Sequence, residues 1–183
     1  MKNESNLIIA FTGARGVGKT VVANELVKSG SNDYVIESFA TPIKDMLKAM
    51  GLTEYFVNDP EGKQEPIPWL DGVSGRELMQ TLGTSWGRET VLDDIWLRAM
   101  NQRLRKYIST DKIIIIDDLR FDNEAKFIQS QGGYIISLTR DGINYTNEHK
   151  TETPINSDYL SFNDSIDVGD IKRASEVIET LIN

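Results

Sequence analysis

The chain has 183 residues, 39% of them hydrophobic and 26% charged, which fits one globular domain with a sizeable core. Its net charge of −8 opposes a nucleic-acid backbone, and its apolar runs fall short of the about 20 residues of a membrane span, so we expect neither partner. It contains no cysteine, which excludes disulfides and thiol nucleophiles, and its first residues lack signal-peptide features. Both observations favour a cytoplasmic location.

Apolar runs and periodic apolar patterns predict an alternation of strands and helices. The predicted strands are 6–12, 33–39, 112–118, 134–138 and 165–168. The predicted helices are 19–29, 41–50, 74–83, 93–108, 122–131 and 171–182, and the predicted loops are 52–73 and 139–161. The four isoleucines at 113–116 do not alternate with polar residues, which indicates burial on both faces. We therefore predict an α/β fold whose parallel sheet is flanked by helices in three layers.

Capping signals refine these helices. Thr41 is the predicted N-cap of the second helix, with Pro42 in its first turn. Ser74 and Glu77 form a capping box at the start of the third helix, which we expect to stop at Gly83. Two helices have predicted inward positions, which are Val22, Ala23, Leu26 and Val27 in the first and Trp96, Met100, Leu104 and Ile108 in the fourth.

Polar residues lie where most of the predicted strands end. Parallel sheets bind ligands beyond the carboxyl ends of their strands, so these residues are expected to meet at one edge. They are Thr12, Ser38, Asp117, Asp118 and Thr139.

The segment GARGVGKT, residues 13–20, matches the phosphate-loop (Walker A) pattern between a predicted strand and a predicted helix. Its glycines allow backbone amides to surround an anion, and the helix N-terminus adds positive potential. Lys19 is expected to reach the outer phosphates of a nucleoside triphosphate, and the Thr20 hydroxyl to ligate magnesium; the alternative is a glycine-rich turn with a chance lysine. The predicted nucleotide-binding residues are Gly13, Ala14, Gly16, Val17, Gly18, Lys19, Thr20 and Val21.

Asp117 and Asp118 end the central predicted strand, where a carboxylate can hold the magnesium shell of a phosphate-loop enzyme. Successive strand residues face opposite sides, so only one of the two is expected to face the phosphate loop. Two nearby arginines have open alternatives. Arg120 pairs either with a substrate phosphate or with one of these aspartates, and Arg15 either reaches a second phosphate or is solvated.

Cations and an aromatic residue between about 40 and 90 are candidates for binding a phosphate acceptor. They are Lys44, Arg76, Trp86 and Arg88. A guanidinium can bind a phosphate and an indole can stack on a base, whereas the alternatives are solvated charge and core packing. The loop 139–161 is the predicted lid and carries the cation Arg140. His149, the single histidine, is more typical of a surface residue than of a catalyst.

These motifs favour a compact small-molecule kinase. The chain has no NKxD guanine-binding motif, and a helicase or motor is usually longer. Two alternatives stay open: a kinase of another small acceptor, such as dephospho-coenzyme A or a sugar acid, and a nucleotide-binding module without turnover.

Several segments also resemble, in order, the bacteriophage deoxynucleoside monophosphate kinases. They are GARGVGKT, SFATPIKDML, SGRELMQTLGTSWGRE, DDIWLRAM, IIIDDLRFDNEAKFIQSQGGYIISLTR and EHKTE. The resemblance implies a phosphate-loop kinase fold with sheet order 2-3-1-4-5, and transfer of the γ-phosphoryl group of ATP to a deoxynucleoside monophosphate with Mg²⁺. Where that family has serine in its lid motif, this chain has Thr151. Some relatives form dimers, so a homodimer is one expectation.

The motifs and the resemblance together give expected roles for individual residues. The expected catalytic residues are Lys19, Arg15, Asp118 and Arg140, and the expected metal-binding residues are Thr20 and Asp117. The expected substrate-binding residues are Arg15, Lys44, Arg76, Trp86, Arg88, Asp118, Arg120, His149 and Glu152. We expect one kinase domain over 1–183, with an acceptor-binding region at about 40–90 and a lid at about 139–161.

Overall fold

A computed structural model of the chain describes residues 6–145, 153–161 and 165–182. The strands are β1 (Ile8–Thr12), β2 (Tyr34–Glu37), β3 (Ile113–Ile116), β4 (Tyr134–Thr139) and β5 (Ile166–Asp167). The α-helices are α1 (Lys19–Ser29), α2 (Thr41–Ala49), α3 (Glu54–Asn58), α4 (Gly75–Gln80), α5 (Ile95–Leu104), α6 (Asp122–Ser130) and α7 (Ile171–Ile182). A π-helix covers Thr81–Val91. Within these ranges, no helix has the length and apolar content needed to cross a membrane.

The five strands form one parallel sheet in the order β2-β3-β1-β4-β5, which confirms the predicted fold class. The predicted strand ends lie within two residues of the observed ones. The central strand β1 pairs with β3 and β4, and all five of its residues are buried. The carboxyl end of β1 is therefore flanked by a strand on each side.

The described chain divides into two compact units, the first containing residues up to Ser38 and from Leu104 onward, and the second Phe39–Arg103. The core of the first unit contains apolar side chains of the sheet, α1 and α7, including Ile9, Phe11 and Leu26. The core of the second unit contains apolar side chains of α2, α3 and α5, including Leu47 and Trp96. The predicted acceptor-binding region at about 40–90 falls within the range of the second unit.

Some predicted boundaries are wrong. The helix after the Ser74–Glu77 capping box does not stop at Gly83. It widens at Thr81 into the π-helix, which continues past Gly83 to Val91. The fourth helix ends at Leu104, and Ile108 is 60% exposed because residues 105–107 tighten into a 3₁₀ turn. Thr41 is the first helical residue rather than the N-cap. Ala40 is the N-cap, since its carbonyl accepts a hydrogen bond from the Lys44 amide.

Two further predictions, one of burial and one of secondary structure, are also wrong. Val27 is 42% exposed, because Val22 and Leu26 already occupy the face of α1 that meets the sheet. The segment 52–73 is not simply loop, since it contains α3 and two short 3₁₀ turns. Val57 and Ile67 in this segment are fully buried, and their burial in the core of the second unit stabilises these short helices.

A buried carboxylate ties β2 to the end of the chain segment that follows α5. Glu37 is 3% exposed, and its Oε1 accepts a hydrogen bond from the Tyr107 hydroxyl at 2.7 Å. Lys106 Nζ lies 2.7 Å from the same oxygen. Burial, followed by the bond to Glu37, raises the pKa of Tyr107 above its ordinary value of 10.0. The bond to Glu37 raises the pKa of Lys106 above 10.5.

This cluster predicts a loss of stability at alkaline pH. Both raised pKa values mean that the folded state holds protons that the unfolded state releases, so the stabilisation is complete below about pH 10 and is lost as pH rises through the raised values. We expect Tyr107→Phe to lower the free energy of unfolding by about 1–3 kcal/mol near pH 8, because a buried carboxylate loses a donor. Urea unfolding at about pH 8 and pH 11 measures both effects.

Tyr159→Phe is the matched control, because the Tyr159 ring lies under Lys126 rather than beside Glu37. Equal pH dependence in the wild type and in Tyr107→Phe would show that Tyr107 contributes nothing to the alkaline loss.

Candidate functional site

The phosphate loop connects the end of β1 to the start of α1. Positive φ angles turn its backbone at Gly13 (140°), Gly16 (78°) and Gly18 (115°). A Cβ atom at Gly13 would overlap the Leu138 carbonyl oxygen on the neighbouring strand, so only glycine fits. The predicted glycine positions are therefore required by the backbone conformation and, at Gly13, by close packing against β4.

Lys19 is the first residue of α1 and is 8% exposed. Its Nζ donates to the Gly13 carbonyl at 2.6 Å and to the Ala14 carbonyl at 2.9 Å. A buried ammonium requires such partners, because burial without hydrogen bonds disfavours a charge strongly. The Lys19 ammonium thus lies against the phosphate loop and next to the N-terminus of α1. Both positive charges favour the binding of an anion there.

Thr20 and Asp117 lie side by side. The Thr20 hydroxyl donates to Asp117 Oδ2 at 2.6 Å, which joins the first turn of α1 to the end of β3. Among the described residues, no group of three or more histidine, aspartate or glutamate side chains could hold a metal. A hydroxyl and one carboxylate nevertheless suit Mg²⁺, which usually keeps several waters and binds through one or two carboxylates plus substrate phosphates.

Asp118 has a different hydrogen-bond partner from Asp117. Its Oδ2 accepts a hydrogen bond from the Ser38 hydroxyl at 2.6 Å, at the end of β2. These adjacent aspartates thus contact different segments, and Asp117 has a hydrogen bond to the helix that follows the phosphate loop. Sequence reasoning placed Ser38 at this edge but not as the partner of Asp118.

Arg140, just after β4, lies beside the phosphate loop. Its Nη2 donates to the Val168 carbonyl at 3.0 Å, and a Cβ at Gly18 would lie 3.6 Å from the same nitrogen. Its Nε is buried without a hydrogen-bond partner. The predicted lid cation is therefore held next to the loop by a backbone carbonyl, which the sequence pattern did not indicate.

Two further candidate arginines of this unit differ in burial. Arg15 is exposed in the phosphate loop. Arg120 is partly buried, and its backbone amide donates to Glu124 Oε2 at 2.9 Å. His149 and Glu152 lie outside the described residues.

The remaining acceptor candidates lie in the second unit. Lys44 and Arg76 are partly buried, in α2 and in the first turn of α4. Trp86 and Arg88 are both in the π-helix, which the sequence analysis missed. Trp86 is 42% exposed, so it is not a core residue, whereas Trp96 is 4% exposed and belongs to the core. The convergence of these four with the phosphate loop stays a prediction.

The parallel sheet, the glycine loop with its buried lysine, and the Thr20–Asp117 pair define the class of phosphate-loop nucleotide-binding proteins. A sequence model of a family described as deoxynucleotide monophosphate kinase matches residues 64–172, more than half of the chain. The chain therefore belongs to the deoxynucleotide monophosphate kinase family, and it is a phosphotransferase. The matched range begins after the phosphate loop, so the loop is an independent observation.

The comparisons also found individual proteins to which this chain is similar. A protein of Acanthamoeba polyphaga mimivirus, provisionally named a deoxynucleotide monophosphate kinase, is 29% identical over 168 residues, which cover 82% of this chain and 83% of the relative. A tunicamycin resistance protein of Deinococcus radiodurans has a TM-score of 0.48 at 14% identity, covering 97% of this chain and 96% of that one. An APS kinase of Mycobacterium tuberculosis has a TM-score of 0.44 at 13% identity, covering 98% and 99%. Because both TM-scores are below 0.5, the assignment of the fold is based on the observed strand order alone.

The packing of the loop predicts unequal effects of two alanine substitutions. Gly13→Ala is expected to destabilise the protein by more than the roughly 1–3 kcal/mol of backbone strain alone, because the new methyl group overlaps the Leu138 carbonyl. Gly16→Ala is the matched control, since φ is also positive there but no atom lies within 4 Å of the new methyl group. Urea unfolding of both variants checks the prediction, and equal losses would contradict it.

Proposed function

We propose that this chain transfers the γ-phosphoryl group of ATP to a deoxynucleoside 5′-monophosphate. The proposal is supported chiefly by one observation in a chain that belongs to this family. The phosphate loop, with Lys19 bound to its carbonyls, and the Thr20–Asp117 pair lie together where the parallel strands end. In the reaction, an oxygen of the acceptor phosphate forms a bond to the γ-phosphorus, and the bond from that phosphorus to the β–γ bridging oxygen breaks. The products are ADP and a deoxynucleoside diphosphate.

One set of residues in the first unit acts on the donor side. The Gly13–Val21 backbone amides and Lys19 hold the transferring phosphates and neutralise the charge that develops on them. Thr20 and Asp117 hold Mg²⁺, which supplies charge neutralisation when it is bound. Arg140 contributes a further positive charge from beside Gly18. Phosphoryl transfer depends on such positioning and neutralisation more than on a strong base.

Acceptor binding is assigned to a second set of residues. A nucleotide phosphate is largely ionised at neutral pH, so cations rather than a base are required. The proposed set is Arg15, Lys44, Arg76, Trp86, Arg88, Asp118, Arg120, His149 and Glu152. The guanidinium groups bind the acceptor phosphate, and Trp86 offers a half-exposed aromatic face to the base. A cytoplasmic homodimer, in an infected cell if the chain is of phage origin, belongs to the same proposal.

An acceptor panel tests the proposed function. ADP release is measured with ATP, Mg²⁺ and each deoxynucleoside or ribonucleoside monophosphate, with dephospho-coenzyme A and gluconate as other acceptors. We expect at least one deoxynucleoside monophosphate to raise the rate at least tenfold above ATP alone. Lys19→Met is expected to remove that stimulation, because the loop loses its buried charge. Stimulation by another acceptor alone, or ATP binding without turnover, would refute the proposal.

The two aspartates are expected to have separable effects. Asp117→Asn should raise the Mg²⁺ concentration for half-maximal rate several-fold, because Asp117 contacts Thr20. Asp118→Asn should instead raise the KM for the acceptor, since Asp118 contacts Ser38 at the next strand. Initial rates over a Mg²⁺ titration and an acceptor titration separate the variants. A changed Mg²⁺ requirement in Asp118→Asn alone would reverse the assignment.

A further inference from the structure

The π-helix Thr81–Val91 is the least expected backbone feature of the second unit. The Leu92 amide donates to the Gly87 carbonyl at 2.9 Å, which is the i→i+5 spacing of a π-helix. π-Helices are rare, mostly single-turn bulges, and are frequently found at functional sites. This one has 11 residues, so it requires a specific support that an α-helix would not need.

The indole of Trp96 provides that support. Its Nε1–H donates to the Gly83 carbonyl at 2.7 Å. A Cβ at Gly87 would lie 2.5 Å from Trp96 Cζ2, so the backbone of the π-helix lies directly against the ring. Gly83 and Gly87 therefore contact one buried side chain, by a hydrogen bond and by close packing. The ring therefore supports the turn between Gly83 and Gly87 through both residues.

Two acceptor candidates follow Gly83 on the same π-helix. The Trp86 ring lies 6.3 Å from the Trp96 ring at an interplanar angle of 47°, and Trp86 stays 42% exposed. Arg88 Nη1 donates to the Asp93 carbonyl at 3.3 Å, at the start of the turn that leads into α5. The directions of both side chains thus depend on the turn that Trp96 holds.

We propose that Trp96 is a positioning residue for the acceptor nucleotide. Its indole selects the π conformation of residues 81–91, and that conformation sets the directions of Trp86 and Arg88. The inference rests on the proposed function and goes beyond it, because Trp96 is a core residue that acts through two others.

Steady-state kinetics of Trp96→Phe test the proposal, because phenylalanine keeps an aromatic ring but removes the Nε1–H donor to Gly83. We expect the KM for the preferred deoxynucleoside monophosphate to rise about tenfold while the KM for ATP stays within about twofold, since loss of one hydrogen bond is of the order of a tenfold effect. Gly87→Ala, which displaces the indole without altering it, should give the same split if Trp96→Phe fails to fold.

Val57→Ala is the matched control, because Val57 is a fully buried residue of the same core in α3. It should lower the urea midpoint without separating the two KM values. If the Trp96 and Gly87 variants match Val57→Ala, or raise both KM values equally, Trp96 is a packing residue only and the positioning role is overturned, while the proposed function stands. If the wild type phosphorylates no monophosphate, the proposed function and this inference both fail.

Discussion

Parallel pairing of β1 with β3 is the constraint on which the site depends. In this register Ala10 lies beside Ile116, so the phosphate loop that follows β1 and the aspartates that follow β3 emerge at the same edge. The first turn of α1 then brings the Thr20 hydroxyl within 2.6 Å of Asp117. An antiparallel arrangement would send the loop and the aspartates to opposite edges. The site thus follows from strand direction as much as from the identity of its residues.

Buried polar groups are the second constraint, because each one restricts how its neighbours fold. The Lys19 ammonium donates hydrogen bonds to two carbonyls of the phosphate loop, so the loop conformation and the buried charge stabilise one another. Glu37 accepts from Tyr107 where the chain returns from the second unit to the sheet. These groups would be costly without their partners, and they therefore favour one backbone arrangement over others that bury the same apolar area.

Pattern reasoning succeeded where a local signal decides the structure. The isoleucine run of β3, the glycine–lysine–threonine loop and the capping box at Ser74 each specify a conformation through neighbours in sequence. It failed where a distant contact overrides the local preference. A glycine near the end of a helical pattern commonly ends the helix. Here the Gly83 carbonyl accepts a hydrogen bond from the Trp96 indole, and the helix continues with the wider turn of a π-helix. Val27 also fits the inward periodicity of α1, yet it is 42% exposed.

The sequence by itself determined the parallel α/β class, the strand order through family resemblance, the phosphate loop, and the polar residues at the strand ends. Only the tertiary structure decided which aspartate meets Thr20, that Ser38 meets Asp118, and that Arg140 is held by the Val168 carbonyl. The physical reason is that periodicity specifies which face a residue occupies, whereas partners are chosen by register and side-chain reach between segments far apart in the chain.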